Sequence, residues 1–181
     1  MHRQNIIEQL ERYGRTHREE NETVERFLSF VRQYEDCCER SLSVGHVTGS
    51  AWVVNKAESH VLLTHHKKLN RWLQLGGHSD GDTNTLRVAY REVKEESGLS
   101  DLAHLGDGIF DIDIHPIPAR KSEEAHFHYD IRFAFQVSGS EEFVISDESH
   151  DLKWVEIEKI QDYTKEESMM RMASKWKRRT Q

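Results

Sequence analysis

The chain is poor in the residues that staple or break a fold. It has two cysteines, Cys37 and Cys38, and they are neighbours, so a disulfide between them would be strained. No Cys-x-x-Cys pair is present, which excludes a zinc site built from thiolates. Two prolines and ten glycines in 181 residues argue against a low-complexity or disordered chain. No apolar run approaches the length of a membrane span, and the first residues, MHRQNIIEQLERYG, lack the apolar centre of a signal peptide. The cytoplasm is therefore the expected compartment, with no membrane partner. Net positive charge is also missing. At −7, the surface as a whole does not attract nucleic acid, so any phosphate substrate would need local cations. Twelve histidines are many for this length, and composition alone does not say why.

The length fits one compact domain with a short addition. Residues 1–44 read as a helical extension and 45–181 as the main domain. Ile6, Ile7, Leu10 and Tyr13 recur at helical spacing, and so do Val24, Phe27, Leu28, Val31 and Tyr34 after the polar THREEN. Two helices forming a hairpin or lid are predicted. From Gly45 the period changes. VTGSAWVV and HVLLTH, split by NKAES, read as a β-hairpin, followed by a polar loop HKKLNRW. Further strands are predicted in IFDIDIHPI, HFHYDIRFAFQV and DLKWVEI, and a closing helix from 157 to 177. Strands with helices before, between and after them suggest a mixed sheet in a layered α/β domain.

The clearest helix covers 84–97. At about 100° per residue, Leu86, Ala89, Tyr90 and Val93 share one arc, and Glu92, Glu95 and Glu96 share the next. Gly98 stands where a left-handed cap would close the helix. Clustered carboxylates repel one another and weaken an isolated helix. Most acidic faces are simply solvated. Here the carboxylates adjoin the apolar arc, and Arg91 is spaced to hold Glu95. An oxygen-only cluster is what a hard divalent cation requires, and such an ion polarises a phosphoryl oxygen and activates water. The preceding GGHSDGDTN is a glycine-rich loop running into a helix N-terminus, a place for phosphate or metal.

The stretch GGHSDGDTNTLRVAYREVKEESGL, residues 76–99, resembles the Nudix box: Gly, five residues, Glu, seven residues, then Arg-Glu-U-x-Glu-Glu-x-Gly-U, with U bulky and aliphatic. Gly77 matches the opening glycine, and Arg91, Glu92, Val93, Glu95, Glu96, Gly98 and Leu99 match the second half. WLQLGGH, DIDIHPIPAR and HFHYDIRF are similar to a bacterial subgroup of that family. The resemblance implies a Nudix-like α/β/α sandwich and a Mg²⁺-dependent hydrolase (Mn²⁺ as a substitute) that cleaves a nucleoside diphosphate linked to another moiety. It implies Glu95 and Glu96 as metal ligands, Glu92 as a carboxylate that binds metal or deprotonates water, and Arg91 as the residue that fixes the glutamates. The Gly76 carbonyl would be a further ligand. It also implies a carboxylate from a loop before a late strand. Glu148, six residues before Trp154, fits best, with Asp147, Asp151, Glu123 and Glu124 as rivals. The first box glutamate is replaced by Thr83. Asp80 or Asp82 is a replacement carboxylate, or else Asp82 or Thr83 caps the helix.

His126, His128 and Asp130 alternate on one strand face, where they either line a substrate pocket or form a hydrogen-bonded face under the last helix. His78 is expected to touch substrate rather than Mg²⁺, which prefers oxygen. His65 and His66 are expected in a loop. Lys175, Trp176, Lys177, Arg178 and Arg179 read as a solvated helix end, an RNA contact being the lesser alternative. His115-Pro116 falls at a family specificity position without selecting a substrate. Two other functions stay open. One is an isopentenyl-diphosphate-isomerase-like enzyme, which needs a cysteine near the sheet whereas both cysteines are expected in the N-terminal helix. The other is a non-catalytic nucleotide-binding regulator. A homodimer is compatible with the sequence.

Overall fold

The computed structural model describes residues 2–119 and 124–179. Two helices, α1 (Gln4–Thr16) and α2 (Asn21–Gln33), open the chain, with a 3-10 turn at Arg18–Glu20 between them. Then come β1 (Gly45–Val54), β2 (His60–His66), β3 (Arg71–Leu73), β4 (Leu75–His78), α3 (Thr85–Ser97), β5 (Leu102–His104), β6 (Asp111–Ile117), β7 (His126–Val137) and β8 (Ser149–Glu156). A 3-10 segment, Ile157–Asp162, leads to α4 (Glu167–Arg179). The sheet runs β3-β2-β1-β7-β5, with β4 also pairing β1, β6 pairing β7 and β8 pairing β2. Among the described pairs only β1 and β7 run parallel, so the sheet is mixed as expected.

The β1–β2 hairpin forms, but its register holds only Val54 opposite Val61. Beyond that point the strands diverge, β1 taking β4 and β7 as partners and β2 taking β3 and β8. This splay brings the glycines of β4 beside the middle of β1. Strand alternation then divides the core. Ala51 and Val53 join a cluster with Val93 of α3 and Phe27 of α2, while Trp52 and Val54 join one with Met169, Met172 and Trp176 of α4. The helices α1 and α2 bury Ile6, Leu10, Val24, Phe27 and Val31 in the first cluster, continuous with the sheet. Among the described residues no helix is long and apolar enough to cross a membrane.

Several local expectations are corrected. Arg71 and Trp72 belong to β3 rather than a loop, and His65 and His66 end β2, His65 stacking on Trp72 with centroids 5.0 Å apart. The last helix is broken, with residues 163–166 separating the 3-10 segment from α4. Lys175 and Trp176 are buried, 7% and 2% exposed, so this part of the basic tail is interior. Cys37 and Cys38 lie in the turn after α2, not in the helix. Both are buried and free, with their sulfurs 4.0 Å apart.

Candidate functional site

Helix α3 starts at Asn84, whose side-chain oxygen accepts from the Arg87 N–H at 3.1 Å. Asn84 therefore caps the helix, not Thr83 or Asp82. Asp82 instead accepts from the Asn84 N–H and pairs with Arg87 at 2.7 Å, while Asp80 pairs with Arg40 at 2.6 Å. Both acids that were candidates to replace the missing glutamate already hold cations. Gly98 ends the helix at φ +75°, as its spacing predicts. Val88, Ala89 and Val93 face the core, Leu86 and Tyr90 are partly covered, and Glu96 is carried inward to 7% exposure.

The β4 glycines meet this helix. The Gly76 N–H donates to Glu96 Oε1 at 2.8 Å. A side chain at Gly76, where φ is +156°, would collide with Ser50, and one at Gly77 would collide with the Glu92 carboxylate. Glycine at 76 therefore lets β4 lie close against β1 at Ser50, and glycine at 77 lets the backbone approach the Glu92 carboxylate. Arg91 donates to Glu92 at 2.8 Å and to the His78 carbonyl at 2.7 Å, tying α3 to β4. Its contact with Glu95 is longer, at 3.9 Å, so Arg91 holds Glu92 rather than mainly Glu95.

The electrostatics show carboxylates in excess. Burial raises Glu92 above the ordinary carboxylate range, opposed by Arg91 and assisted by the charges of Glu95 and Glu148. Burial pushes Glu96 up to about 8, against its bond from Gly76 and with the fields of Glu92, Glu148 and Glu95 adding. Glu148 is exposed in the turn just before β8, yet its charge reaches both buried glutamates. Arg91 is the one ion-pair partner of the three helix glutamates among the described residues. An all-oxygen set, crowded and short of positive charge, fits a hard divalent cation. The rivals of Glu148 stand differently. Asp151 caps its own strand by accepting from the Leu152 N–H, Glu124 borders a histidine-lined cavity, and Glu123 lies outside the described residues.

The alternating residues of β7 divide between the two readings. Asp130 is buried and accepts from Thr48 (2.8 Å), Ser50 (2.7 Å) and Arg132 (2.7 Å), a satisfied structural group. His126 and His128 instead join His78, His115 and a residue without a sequence signal, His46. His46 is 3% exposed, and neither of its ring nitrogens has a hydrogen-bond partner among the described residues. A cavity of about 290 Å³ opens beside it, lined by Arg40, Ser43, His46, His78, Glu124 and His126.

A family model described as the NUDIX domain matches residues 45–176. No curated protein matches the sequence. Among solved structures, an Ap4A hydrolase binary complex from C. elegans superposes with a TM-score of 0.61 at 18% identity, covering 74% of this chain and 96% of its own. A MutT protein from Methanosarcina mazei Go1 gives 0.57 at 20% identity, covering 77% and 98%. The NUDIX domain of Shewanella oneidensis NrtR, complexed with ADP ribose, gives 0.53 at 12% identity, covering 84% and 97%. At such identities these likenesses establish the fold.

Proposed function

Since the chain belongs to the Nudix family, as a hydrolase of pyrophosphate bonds, we propose that it cleaves a nucleoside diphosphate linked to another moiety, in a Mg²⁺-dependent reaction. One observation carries this reading: Glu92, Glu95, Glu96 and Glu148 are four interacting carboxylates with, among the described residues, a single arginine paired to them. Glu95, Glu96, Glu148, Glu92 and the Gly76 carbonyl would hold the ion, and Mn²⁺ would serve in its place. When bound, the cation supplies charge neutralisation of the diphosphate and acidification of a water.

The protein groups do the positioning. Arg91 fixes the Glu92 carboxylate and the His78 carbonyl relative to each other. The Gly76 N–H fixes one oxygen of Glu96. Glu92 and Glu148 are the candidates to accept a proton from the attacking water, Glu92 because burial already raises its proton affinity. His78 and His126 line the cavity beside His46, with the His128 ring against both, and these three histidines are proposed to meet the substrate's second moiety. Positioning and charge stabilisation carry most of the catalysis in phosphoryl chemistry.

The test is a panel of dinucleoside polyphosphates, nucleoside diphosphate sugars and nucleoside triphosphates, with Mg²⁺, Mn²⁺ or chelator. At least one compound should yield two phosphate-bearing products, or a nucleotide and pyrophosphate, only when metal is present. Rearrangement without cleavage would favour the isomerase reading. Tight nucleotide binding with no turnover on any compound would favour the regulator.

A further inference from the structure

We propose that His46, His78 and His128 form a second metal site, nitrogen-based and specific for a transition ion such as Zn²⁺, with its open position facing the cavity beside β1. This site stands on its own geometry and does not depend on which diphosphate is cleaved.

The three residues come from three strands. His46 lies opposite His128 in the parallel β1–β7 register, and His78 lies opposite Thr48 in the antiparallel β1–β4 register. Their ring centroids are 4.8 to 5.2 Å apart, and one nitrogen from each lies within 4.8 Å of the others. Tetrahedral zinc with bonds of about 2.0–2.1 Å would draw those nitrogens closer by side-chain rotation alone, since the strands already share a sheet.

The decisive residue is His46. A neutral imidazole carries one donor and one acceptor, and buried polar atoms are almost always paired. His46 is 3% exposed, and neither nitrogen is paired among the described residues. Two other histidines surround it, His126 at 5.0 Å from His46 and His115 at 5.4 Å from His128. Their outer nitrogens are anchored, His115 Nδ1 to Asp113 at 3.0 Å and His126 Nδ1 to the Glu124 carbonyl at 2.8 Å. A ring of imidazoles so arranged gains little from stacking and would lose much if charged. Burial first, then the neighbouring His78 and His126, push His46 down to about 4, and burial with His46 and His115 lowers His128 further. The neutral imidazole is the form that offers a lone pair to a metal.

Donor chemistry separates this site from the one on α3. Oxygen donors there select Mg²⁺ or Mn²⁺, whereas three imidazoles select zinc and its neighbours. Three protein ligands leave a position for water or a substrate oxygen, the pattern of an open rather than a closed zinc site. The two centres are mechanically joined, because the His78 carbonyl accepts from Arg91.

The experiment uses untagged full-length protein, stripped with chelator and titrated with Zn²⁺ in saturating Mg²⁺, read by calorimetry and elemental analysis. Co²⁺ substitution reports donor type through its visible spectrum. We expect one Zn²⁺ per chain and a tetrahedral Co²⁺ spectrum. His46→Asn, His78→Asn and His128→Asn should each weaken zinc by about 100-fold or more, beyond the range for losing a ligand's supporting partner. Glu96→Gln should bind zinc as the wild type does. Circular dichroism checks the folding of each variant, and His78 and His128, both less buried than His46, keep the test valid if His46→Asn does not fold. Failure to bind zinc in saturating Mg²⁺ overturns the proposal, as do wild-type affinity in the folded histidine variants and loss of zinc in Glu96→Gln. None of those results touches the hydrolase assignment, which the substrate panel tests separately.

Discussion

Two regions of this molecule bury carboxylates, and they do so in opposite ways. Beneath α4, Asp111 is fully buried but receives Arg132 at 3.1 Å, Arg171 at 2.8 Å and Lys175 at 2.5 Å. Nearby Asp113 also meets Arg132 and Arg171. Burial works to raise Asp113, yet His115, Arg132 and Arg171 hold it well below the usual carboxylate range. On α3, Glu92 and Glu96 are raised instead, with Arg91 as the only ion-pair partner of the cluster among the described residues. The first region neutralises its acids with its own side chains and joins distant parts of the fold. Lys175 of α4 also bridges to Glu20 at 2.5 Å and bonds Tyr13, linking the N-terminal helices to the sheet. The second region leaves negative charge uncompensated, which lowers stability unless a cation arrives from solution.

The largest effect should come from removing an acid where the chain supplies the cations. Asp111→Asn removes the buried charge that Arg132, Arg171 and Lys175 share, leaving Arg132 with Asp130 and Asp113, Arg171 with Asp113 and Lys175 with Glu20, and breaking a buried pair from one side costs about 3–5 kcal/mol. Urea denaturation should show that loss. Glu96→Gln replaces a carboxyl whose ionised form burial and its acidic neighbours already disfavour, so the metal-free protein should lose no stability. Its turnover should fall by about 10²-fold or more, equivalent to about 2.7 kcal/mol of barrier. If Glu96→Gln unfolds like Asp111→Asn while retaining its rate, the contrast collapses and α3 is merely another structural network.

Glu148 sharpens the same contrast with a smaller effect. Its charge reaches Glu92 and Glu96 from outside the helix, so it belongs to the uncompensated set although its side chain is exposed. Glu148→Gln should reduce turnover by roughly 10- to 100-fold at saturating Mg²⁺, within the range for a lost base or supporting ligand. Asp147→Asn, in the same turn, should leave the rate near wild type. Equal rates in wild type and Glu148→Gln across pH would remove Glu148 from the site.

The α3 cluster was legible in the sequence because its information is local. Helical period, the Gly98 cap and the spacing of three glutamates all lie within fifteen consecutive residues, and the structure places them as that pattern implies. The strands β6, β7 and β8 were legible as runs of apolar, β-branched and aromatic residues in IFDIDIHPI, HFHYDIRFAFQV and DLKWVEI. What stayed hidden depends on partners far along the chain. Lys175 reads as part of a solvated basic tail until Asp111, 64 residues away, is placed beside it. His46 gives no signal at the start of an apolar strand, because the parallel register that sets it against His128 comes from a distant crossover. The three-residue strands β3 and β5 are too short to alternate, and the break before α4 carries neither proline nor glycine.

The smallest effects are expected in the loop that leads into α3, where the sequence departs from the box. Thr83 occupies the place of the first box glutamate, and as a helix cap it would be worth about 1 kcal/mol. The structure gives that role to Asn84, whose oxygen takes the Arg87 N–H at 3.1 Å. Asp82 secures the same turn from the other side by accepting the Asn84 N–H at 2.8 Å and pairing with Arg87. Asn84→Ala should therefore cost about 1 kcal/mol in chemical denaturation, while Thr83→Ala, half-buried but with no side-chain hydrogen bond among the described residues, should stay within about 0.5 kcal/mol. Turnover at saturating Mg²⁺ should be nearly unchanged in both, because neither residue adds a carboxylate to the uncompensated set. A rate collapse in Thr83→Ala with stability intact would mean that its hydroxyl acts on the metal or its water. The boundary between the charge-satisfied loop and the charge-deficient helix would then have to move to include it.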